Sequence, residues 1–312
     1  MSKTTIEWAD EVWNPTLGCS PAKGSEQGGC KHCYAQRSVH VRSGNPNAKI
    51  KAANEGLTVI TSNGPVWNGK VRLLPDRLDV PLRKQKPTRY FVNSLSDLFH
   101  RQIPREFVDR VFAVMALCQE HTFLVLTKQA ERMLEYCSQL CDREVPVSLA
   151  IVRTPWWDGP HITLGAVGAI EDRISYGPLP NVWFGVSVEN KANLHRIDTL
   201  RKTPAGKRFV SFEPLLEDLG ELNLFGIDQA IFGGESGPGA RPCSVSWIRS
   251  GVSQCRPQGC APFVKQLGAN VSGDWPEFPL YDPDVNGYPI NDRKGGNLQE
   301  FPTDLQVREY PK

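Results

Sequence analysis

A chain of 312 residues with 40% hydrophobic and 22% charged residues has the composition of a folded globular protein, not of a disordered or fibrous one. The N-terminus has no apolar signal segment, and no uncharged apolar run approaches the roughly 20 residues that cross a bilayer, so we expect a cytoplasmic protein without a membrane partner. The net charge of +2 hides an imbalance, because residues 31–105 carry 14 Lys and Arg against 4 Asp and Glu. This excess indicates an anionic partner, such as nucleic acid or a phosphorylated substrate, or else a solvated basic face.

The first distinctive feature is a cysteine segment, residues 13–37, with the sequence WNPTLGCSPAKGSEQGGCKHCYAQR. Without an export signal, its three cysteines (Cys19, Cys30 and Cys33) are expected to be thiols or metal ligands. Two residues separate Cys30 from Cys33, so both sulfurs can reach one metal, and three thiolates favour zinc or an iron–sulfur cluster. A [4Fe–4S] cluster on three thiolates keeps one iron open, whereas zinc needs a fourth ligand such as His40 or His100. Spacing alone leaves this choice open.

Short apolar runs then alternate with helical patterns along the chain. The predicted strands are Trp8–Asn14, Arg89–Asn93, Thr122–Thr127, Val182–Val188, Arg208–Phe212, Gln229–Phe232 and Ala261–Lys265. The predicted helices are Pro104–Gln119, Glu131–Cys141, Asn190–Arg201 and Ser244–Cys255. Strands that alternate with helices over short connections predict an α/β fold with a parallel sheet, either a barrel or a doubly wound sheet.

Three segments interrupt this alternation. Residues 43–68 are predicted to form a loop or small subdomain, and residues 144–178 an insertion. Residues 271–312 are rich in Pro, Asp and Gly without a clear period, and we expect an extended C-terminal segment packed on a domain formed by residues 1–270. Cys118, Cys137 and Cys141 recur at helical spacing, and they are predicted to be small buried core residues, as are Cys255 and Cys260.

Polar residues follow most of the predicted strands. In parallel α/β folds ligands bind beyond the carboxyl ends of the strands, so these residues are candidates for a site. They are Asn93, Ser94, Ser96, Asp97, Thr127, Lys128, Ser187, Glu189, Asn190, Glu213, Gly233, Gly234 and Glu235, together with Lys265 and Gln266 at the end of the last predicted strand. Taken singly, each has an ordinary alternative as a helix cap or a turn residue. Their concentration at one edge of the predicted sheet nevertheless favours a binding site.

Eight motifs carry a family resemblance. They are IEWADEVWNPTLGC, GCKHCYAQR, FVNSLSDLFH, FLVLTKQAERM, LPNVWFGVSVEN, RFVSFEPLL, GGESGPGARP and DRKGGNLQEFPTDLQVREYP, in chain order. Together they resemble a phage-associated three-Cys-motif family of largely unassigned function, which is similar to radical S-adenosylmethionine enzymes and in character to spore photoproduct lyase. The match touches nearly the whole chain, although ten residues separate Cys19 from Cys30 where three are usual in the radical enzymes.

The resemblance implies a partial (β/α)6-type TIM barrel that holds a [4Fe–4S] cluster on the three cysteines and binds S-adenosylmethionine. One electron, from a donor such as a flavodoxin or ferredoxin, would then yield a 5′-deoxyadenosyl radical that modifies or repairs nucleic acid or a nucleotide. The resemblance maps cofactor contacts onto His32, Tyr34, Asn93, Ser94, Asp97, Thr127, Ser187, Glu189, Asn190 and Glu213. It leaves Glu235 and Lys128 as candidate catalytic residues, with Glu235 facing the substrate.

Two other functions are compatible with the same residues. Glu213 and Glu235 follow consecutive predicted strands, as the acid and the nucleophile or base of a glycosidase would, with a structural zinc at the cysteines. The third possibility is a non-catalytic, zinc-stabilised nucleic-acid binder, for which steep salt dependence of binding is expected.

Overall fold

A computed structural model describes residues 4, 6–140, 177–273 and 290–311. Most of the predicted insertion, part of the predicted C-terminal segment and Cys141 lie outside these residues. The strands are β1 Glu11–Trp13, β2 Thr16–Leu17, β3 Thr58–Thr61, β4 Gly64–Trp67, β5 Arg72–Leu73, β6 Arg89–Val92, β7 Thr122–Thr127, β8 Val182–Ser187, β9 Lys207–Phe212, β10 Gln229–Gly233, β11 Cys243–Ser244, β12 Ala261–Gln266 and β13 Val271–Ser272. The helices are α1 Tyr34–Ser43, α2 Ala48–Asn54, α3 Arg105–Leu117, α4 Ala130–Leu140, α5 His195–Lys202 and α6 Val245–Cys255.

Seven of these strands belong to one sheet, in the order β1-β6-β7-β8-β9-β10-β12. The pairs β1–β6, β6–β7, β9–β10 and β10–β12 are parallel. The predicted α/β class with a parallel sheet is therefore confirmed. The strand order follows the chain from one edge to the other, as in a (β/α) barrel, whereas a doubly wound sheet reverses its order at a switch point. Each of the seven predicted strands is present, with ends shifted by at most three residues.

The chain divides into two compact units, which are described separately. The first unit contains Met1–Ala22, Cys33–Gly185 and Lys202–Lys207, and the second contains Lys23–His32, Val186–Arg201 and Arg208–Lys312. Among the described residues, none of the helices has the length and apolar character needed to span a bilayer.

In the core of the first unit, α3 packs against α4 and β8. Helix α3 buries the side chains that recur at helical spacing. The ring of Phe112 in α3 stacks on the ring of Phe184 in β8, with 5.9 Å between the ring centroids. The buried Asn181 donates from Nδ2 to the carbonyl oxygens of Met115 and Cys118 at 2.9 and 3.0 Å. These bonds satisfy carbonyl groups that the end of a helix leaves without an intrahelical partner.

The predicted subdomain at residues 43–68 is formed by ordered secondary structure. The side chain of Asn47 accepts hydrogen bonds from the backbone of Lys49 and Ile50 and thereby caps α2. Strands β3 and β4 pair as an antiparallel hairpin. Helices α1 and α2 and this hairpin pack on one apolar cluster, whose members are Leu17, Ala35, Val39, Ala53, Leu57, Trp67, Leu74 and Leu95.

The second unit contains β9, β10 and β12, with α6 packed close to the sheet. A Cβ on Gly251 of α6 would lie 2.3 Å from Cε1 of Phe232, so the glycine allows the helix to approach the ring. The described part of the C-terminal segment covers β12. Its Val307 accepts a hydrogen bond from Val264 at 2.8 Å, its Phe301 is buried, and Glu309 donates to Pro262 at 3.0 Å.

Candidate functional site

In the first unit, Asp97 joins the ends of β6 and β7. Its Oδ1 accepts a hydrogen bond from the hydroxyl of Thr127 at 2.7 Å, and its Oδ2 accepts one from the backbone N–H of Lys128 at 3.0 Å. Asp97 also accepts from the backbone of Phe99 at 3.0 Å. Three residues that the sequence placed at strand ends are therefore brought together by one buried carboxylate. Lys128 contributes its backbone to this network.

Asn93 has an unusual backbone conformation at the end of β6. Its φ of 60° is the one positive φ among the described non-glycine residues, and its side chain is buried, with 2% exposed. Nδ2 donates to the hydroxyl of Thr16 at 2.8 Å, whereas Oδ1 is buried and has no hydrogen-bond partner among the described residues. Asparagine tolerates the left-handed region better than most residues, but an unpaired buried acceptor costs about 1–3 kcal/mol. A conformation held at such a cost is a reason to suspect a functional site.

Ser94 lies beside Asn93 and connects β1, β6 and α1. Its hydroxyl accepts a hydrogen bond from Nδ2 of Asn14 at 3.1 Å, and its carbonyl oxygen accepts one from the hydroxyl of Tyr34 at 2.6 Å. Because this bond anchors the hydroxyl, the half-exposed ring of Tyr34 is held at the start of α1, directly after Cys33.

The cysteines differ in their exposure. Cys19, Cys30 and Cys33 are partly exposed, whereas the other described cysteines are buried. Burial raises the pKa of the Cys118 and Cys243 thiols to about 12, which keeps both protonated. The prediction that Cys118, Cys137, Cys255 and Cys260 are core residues is confirmed. Cys19 and Cys33 pack against the apolar cluster that also supports α1.

The two histidines considered as zinc ligands have other partners. The buried His100 accepts at Nδ1 from the backbone N–H of Gln102, so its Nε2–H donates to the hydroxyl of Ser20 at 2.8 Å. Nδ1 of His40 lies 3.4 Å from the hydroxyl of Thr58. Within the described ranges, no three His, Cys, Asp or Glu side chains are grouped so that they could hold a metal ion.

In the second unit, Glu189 and Arg196 hold the loop of residues 23–32, which contains Cys30. Both side chains are buried, and Nη1 of Arg196 lies 3.2 Å from Oε2 of Glu189. Nη2 of Arg196 donates to the carbonyl oxygen of Lys23 at 3.2 Å and to the hydroxyl of Ser25 at 3.0 Å, while the Ser25 hydroxyl donates to Glu189 at 3.1 Å. Such charge-assisted bonds are stronger than neutral ones, so they restrain the loop.

Glu235 and Arg241 hold the same loop at a second place. Arg241 donates from Nε and Nη2 to the two oxygens of Glu235 at 2.9 and 2.5 Å, and also to the carbonyl oxygens of Gln27 and Gly28 at 2.8 and 3.0 Å. Glu235 also contacts Nδ1 of His32 at 3.1 Å. Burial works to raise the pKa of Glu235, but the hydrogen bonds and charge of Arg241 outweigh it and leave the pKa lowered.

Glu213 and Lys265 form a third ion pair, at the ends of β9 and β12. Nζ of Lys265 lies 2.8 Å from Oε1 of Glu213, and both side chains are mostly buried. Strand β10 lies between these two strands and ends in Gly233, where a Cβ would come within 2.6 Å of Oε1 of Glu213. The absence of a side chain at Gly233 thus leaves room for the pair.

Two further predicted residues, Ser187 and Asn190, belong to the network around Arg196. The carbonyl oxygen of Ser187 accepts from its Nη1 at 2.8 Å. Oδ1 of Asn190 accepts from Nδ2 of Asn193 at 2.9 Å, and Asn193 also donates to Glu189 at 3.0 Å. Ser187, Glu189 and Asn190 are therefore brought together, within the network that restrains the loop.

Two charged residues of these networks were not among the predicted strand-end residues: Arg196 and Arg241. A signal for the first was available, because Arg196 falls beside Ile197 on the apolar side of α5, where an arginine needs a buried partner. Arg241 lies in a glycine-rich turn with no such local pattern.

Comparison with known proteins places the chain in a family. A family model described as "Protein of unknown function (DUF5131)" matches residues 3–297. The chain belongs to this family. No curated protein and no solved structure matches the sequence. The DUF5131 match includes the three partly exposed cysteines and all the strand-end residues described above.

Proposed function

We propose that this DUF5131 protein is a radical S-adenosylmethionine enzyme that modifies or repairs nucleic acid or a nucleotide, with a [4Fe–4S] cluster on Cys19, Cys30 and Cys33. The observation that carries the proposal is the contrast between these partly exposed thiols and the buried ones. Thiols that pack a core are normally buried, whereas thiols that bind a group from solution need access to it. The three accessible cysteines are also the three that the family resemblance selects.

The donor set suits such a cluster, since thiolates are its usual protein ligands and three of them leave one iron open. Its assembly from these three side chains is part of the proposal. When bound, the cluster would supply the electron that opens the sulfonium of S-adenosylmethionine. The tasks of the protein are then to bind the cofactor, to orient it and to keep water away.

Residues of the first unit are suited to cofactor binding. Oδ1 of Asn93 is a buried acceptor to which no residue of the described ranges donates, and an ammonium group of the cofactor is a donor that would satisfy it. Asp97 holds the backbone of Lys128 and the side chain of Thr127, which keeps the neighbouring strand end in position. The anchored ring of Tyr34 offers a flat surface next to Cys33 for stacking with adenine.

Residues of the second unit are better suited to positioning than to chemistry. Glu189 and Glu235 are each paired with an arginine, and Arg196 and Arg241 both bond to backbone carbonyls of the loop that contains Cys30. We therefore assign both carboxylates to restraining this loop. Neither is proposed as a cofactor ligand or as a general base, because a carboxylate with several donors is a weak proton acceptor.

The hydrolase alternative is less favourable for the same reason. A glycosidase acid needs a carboxyl group that keeps its proton near neutral pH. Glu235 has a lowered pKa, and Glu213 is paired with Lys265. Neither carboxylate therefore lies in the unpaired, apolar environment that a glycosidase acid needs.

The test is anaerobic reconstitution of the full chain with iron and sulfide. The expected result is a brown protein with about four irons per chain that releases 5′-deoxyadenosine from S-adenosylmethionine after reduction. Cys19→Ala, Cys30→Ala and Cys33→Ala should each lose the cluster absorbance, whereas the matched control Cys137→Ala, at a buried cysteine of α4, should keep it. A colourless protein with stoichiometric zinc, or cluster binding unaffected by all three substitutions, contradicts the proposal.

A further inference from the structure

We infer that the exposed side of α1, α2 and the β3–β4 hairpin is a docking surface for single-stranded nucleic acid. We call it the α1–β4 surface and define it by nine exposed residues: Arg37, Val41, Arg42, Lys49, Ile50, Lys51, Val59, Ile60 and Lys70. It deepens the proposed function and rests on it, because it names the form of nucleic acid that the enzyme would receive.

The first support is unbalanced charge. Between Cys33 and Arg72 the chain has one carboxylate, Glu55. Arg72 is used internally, since its Nη2 donates to the carbonyl oxygen of Glu55 at 2.9 Å. The five cationic side chains of the surface make no ion pair with any described carboxylate. Five uncompensated cations on one small subdomain attract a polyanion.

The second support is apolar exposure among these charges. Val41 is 69% exposed and Ile60 is 64% exposed, while Val59 is 48% and Ile50 is 38% exposed. Val59 and Ile60 are consecutive in β3, so their side chains point to opposite faces of the strand. Both faces of this strand are therefore open, and the α1–β4 surface includes both of them, although the partner strand β4 ends in the buried Trp67.

The combination favours a single strand over a duplex. A duplex presents phosphates and base edges, and its base faces are stacked and unavailable to an aliphatic side chain. A single strand presents phosphates together with unstacked bases, which can lie on exposed apolar side chains. Cations interleaved with aliphatic side chains match the second arrangement.

The location agrees with this role. Helix α1 begins at Tyr34, directly after Cys33. On its exposed side, Arg37 follows Tyr34 by three residues and Val41 follows Arg37 by four. Residues three and four apart on a helix are neighbours on one face. A nucleic-acid strand bound along this face would therefore reach the N-terminal end of α1, next to the proposed cluster ligand Cys33.

The test is the fluorescence anisotropy of a labelled 20-nucleotide DNA strand without self-complementarity, titrated with the full-length reconstituted protein at 50 to 200 mM KCl. Arg37→Gln/Arg42→Gln/Lys49→Gln should bind about tenfold or more weakly at 100 mM, and its plot of log affinity against log salt should be shallower by about 2. The control Lys191→Gln/Lys202→Gln/Arg293→Gln removes the same charge from exposed positions outside the α1–β4 surface and should behave as the wild type. Val41→Ser/Ile60→Ser should weaken binding severalfold with an unchanged salt slope.

Equal losses in the control and the surface variant would overturn the proposal, because binding would then follow net charge alone. Equal affinity for the matching duplex would also overturn it. The outcome is separate from that of the proposed function, which is read from cluster absorbance and 5′-deoxyadenosine. If the protein binds the strand but releases no 5′-deoxyadenosine, the docking surface is supported and the proposed enzyme activity is contradicted. If the protein releases 5′-deoxyadenosine but its strand binding is unaffected by the surface substitutions, the enzyme activity is supported and the docking surface is contradicted.

Discussion

At the scale of single residues, Gly233 and Gly234 at the end of β10 show how tightly the strand ends of the second unit are packed. A Cβ at Gly234 would meet the carbonyl oxygen of Leu267 at 2.2 Å, and a Cβ at Gly233 would meet the carboxylate of Glu213 at 2.6 Å. Backbone cannot move as a side chain can. The two positions therefore differ in what an added methyl group would displace.

We expect Gly234→Ala to destabilise the protein more than Gly233→Ala. The first forces two backbone segments apart, whereas the second only displaces Glu213 from Lys265, and overpacking of this kind costs about 1–3 kcal/mol. The free energy of unfolding from urea denaturation measures both. Gly44→Ala is the matched control, because a Cβ there lies 3.7 Å from its nearest contact, the carbonyl oxygen of Val41. The reverse ranking would contradict this account of the two contacts.

A second residue-scale prediction concerns the loop that contains Cys30. Arg241→Gln removes the guanidinium from Glu235 and from the carbonyl oxygens of Gln27 and Gly28. Breaking a buried ion pair lowers the free energy of unfolding by about 3–5 kcal/mol. Because Arg241 is partly exposed, we expect a decrease near the lower end of this range. Trypsin should then cleave after the exposed Lys23 or Lys31 faster than in the wild type. Arg293→Gln, at an exposed arginine, is the control, and equal cleavage rates would show that Arg241 does not restrain the loop.

The sequence predicted the positions of the site residues better than their roles. Asp97 and Thr127 follow buried strands, and that pattern placed them together correctly. The contacts of Arg241 were not predictable, because this residue belongs to an irregular turn and its bonds to Gln27 and Gly28 reach residues more than 200 positions away. Neither an irregular turn nor a bond between distant segments has a local period, so these contacts are visible only in the folded chain.

At the scale of elements, α3 and α4 are joined by a buried polar contact within an apolar interface. The hydroxyl of Tyr136 donates to Oδ1 of Asp109 at 2.7 Å, and Arg105 lies over the Tyr136 ring at 5.7 Å from its centroid. Burial raises the pKa of Asp109 above its usual 3.8, although the bond from Tyr136 works to lower it. Burial likewise raises the pKa of Tyr136, so its hydroxyl keeps the proton that it donates.

This contact predicts a pH dependence of stability. Because the pKa of Asp109 is higher in the folded protein than in the unfolded chain, the folded state binds the proton more tightly. The contribution of Asp109 to stability is therefore complete below about pH 3.8 and decreases as the pH rises through the raised pKa. Asp109→Asn removes this dependence. The free energy of unfolding of the variant should therefore increase relative to that of the wild type as the pH rises from 4 to 7.

Tyr136→Phe provides the second arm of this test. Loss of the donor leaves the carboxylate of Asp109 less stabilised, so the decrease in stability should extend to higher pH than in the wild type. Chemical denaturation at a series of pH values measures all three proteins. Parallel curves for the wild type and Asp109→Asn would show that Asp109 does not titrate differently on folding.

The elements themselves were largely predictable, for a physical reason. Strands covered on both faces form continuous apolar runs, and Thr122–Thr127 was predicted with its observed bounds. The pairs β2–β5 and β11–β13 have two residues in each strand, which is too short for any period to appear. The hairpin β3–β4 was also missed as a strand pair, because its exposed side chains lack the alternation that a buried face imposes.

At the scale of the whole molecule, the sheet has β12 at one edge, and the C-terminal segment covers that edge. Arg308 forms an antiparallel bridge with Phe263, and Phe301 and Leu305 are buried. An uncovered edge strand offers unpaired N–H and C=O groups to any other strand. The covering segment therefore protects the sheet from pairing with other chains.

Removal of residues 298–312 should make the protein associate. The truncated chain exposes the edge of β12 and the apolar surface beneath Phe301, so size-exclusion chromatography with light scattering should show larger species and a lower soluble yield. Asp304→Asn is the control in the same segment, because it removes only an exposed ion pair with Arg249, worth about 0–1 kcal/mol. If the truncated chain elutes at the same volume as the intact chain, the edge of β12 does not need the C-terminal segment to prevent association.

The position of this segment also sets an order of events during synthesis. Strand β12 ends at Gln266, and the residues that cover it, Phe301 to Glu309, leave the ribosome later. For that interval the nascent sheet has an open edge, and neighbouring nascent chains on one messenger are the nearest strands able to pair with it. Slow translation between the two segments would lengthen this exposure, so the yield of native protein should depend on how quickly codons 267–309 are read.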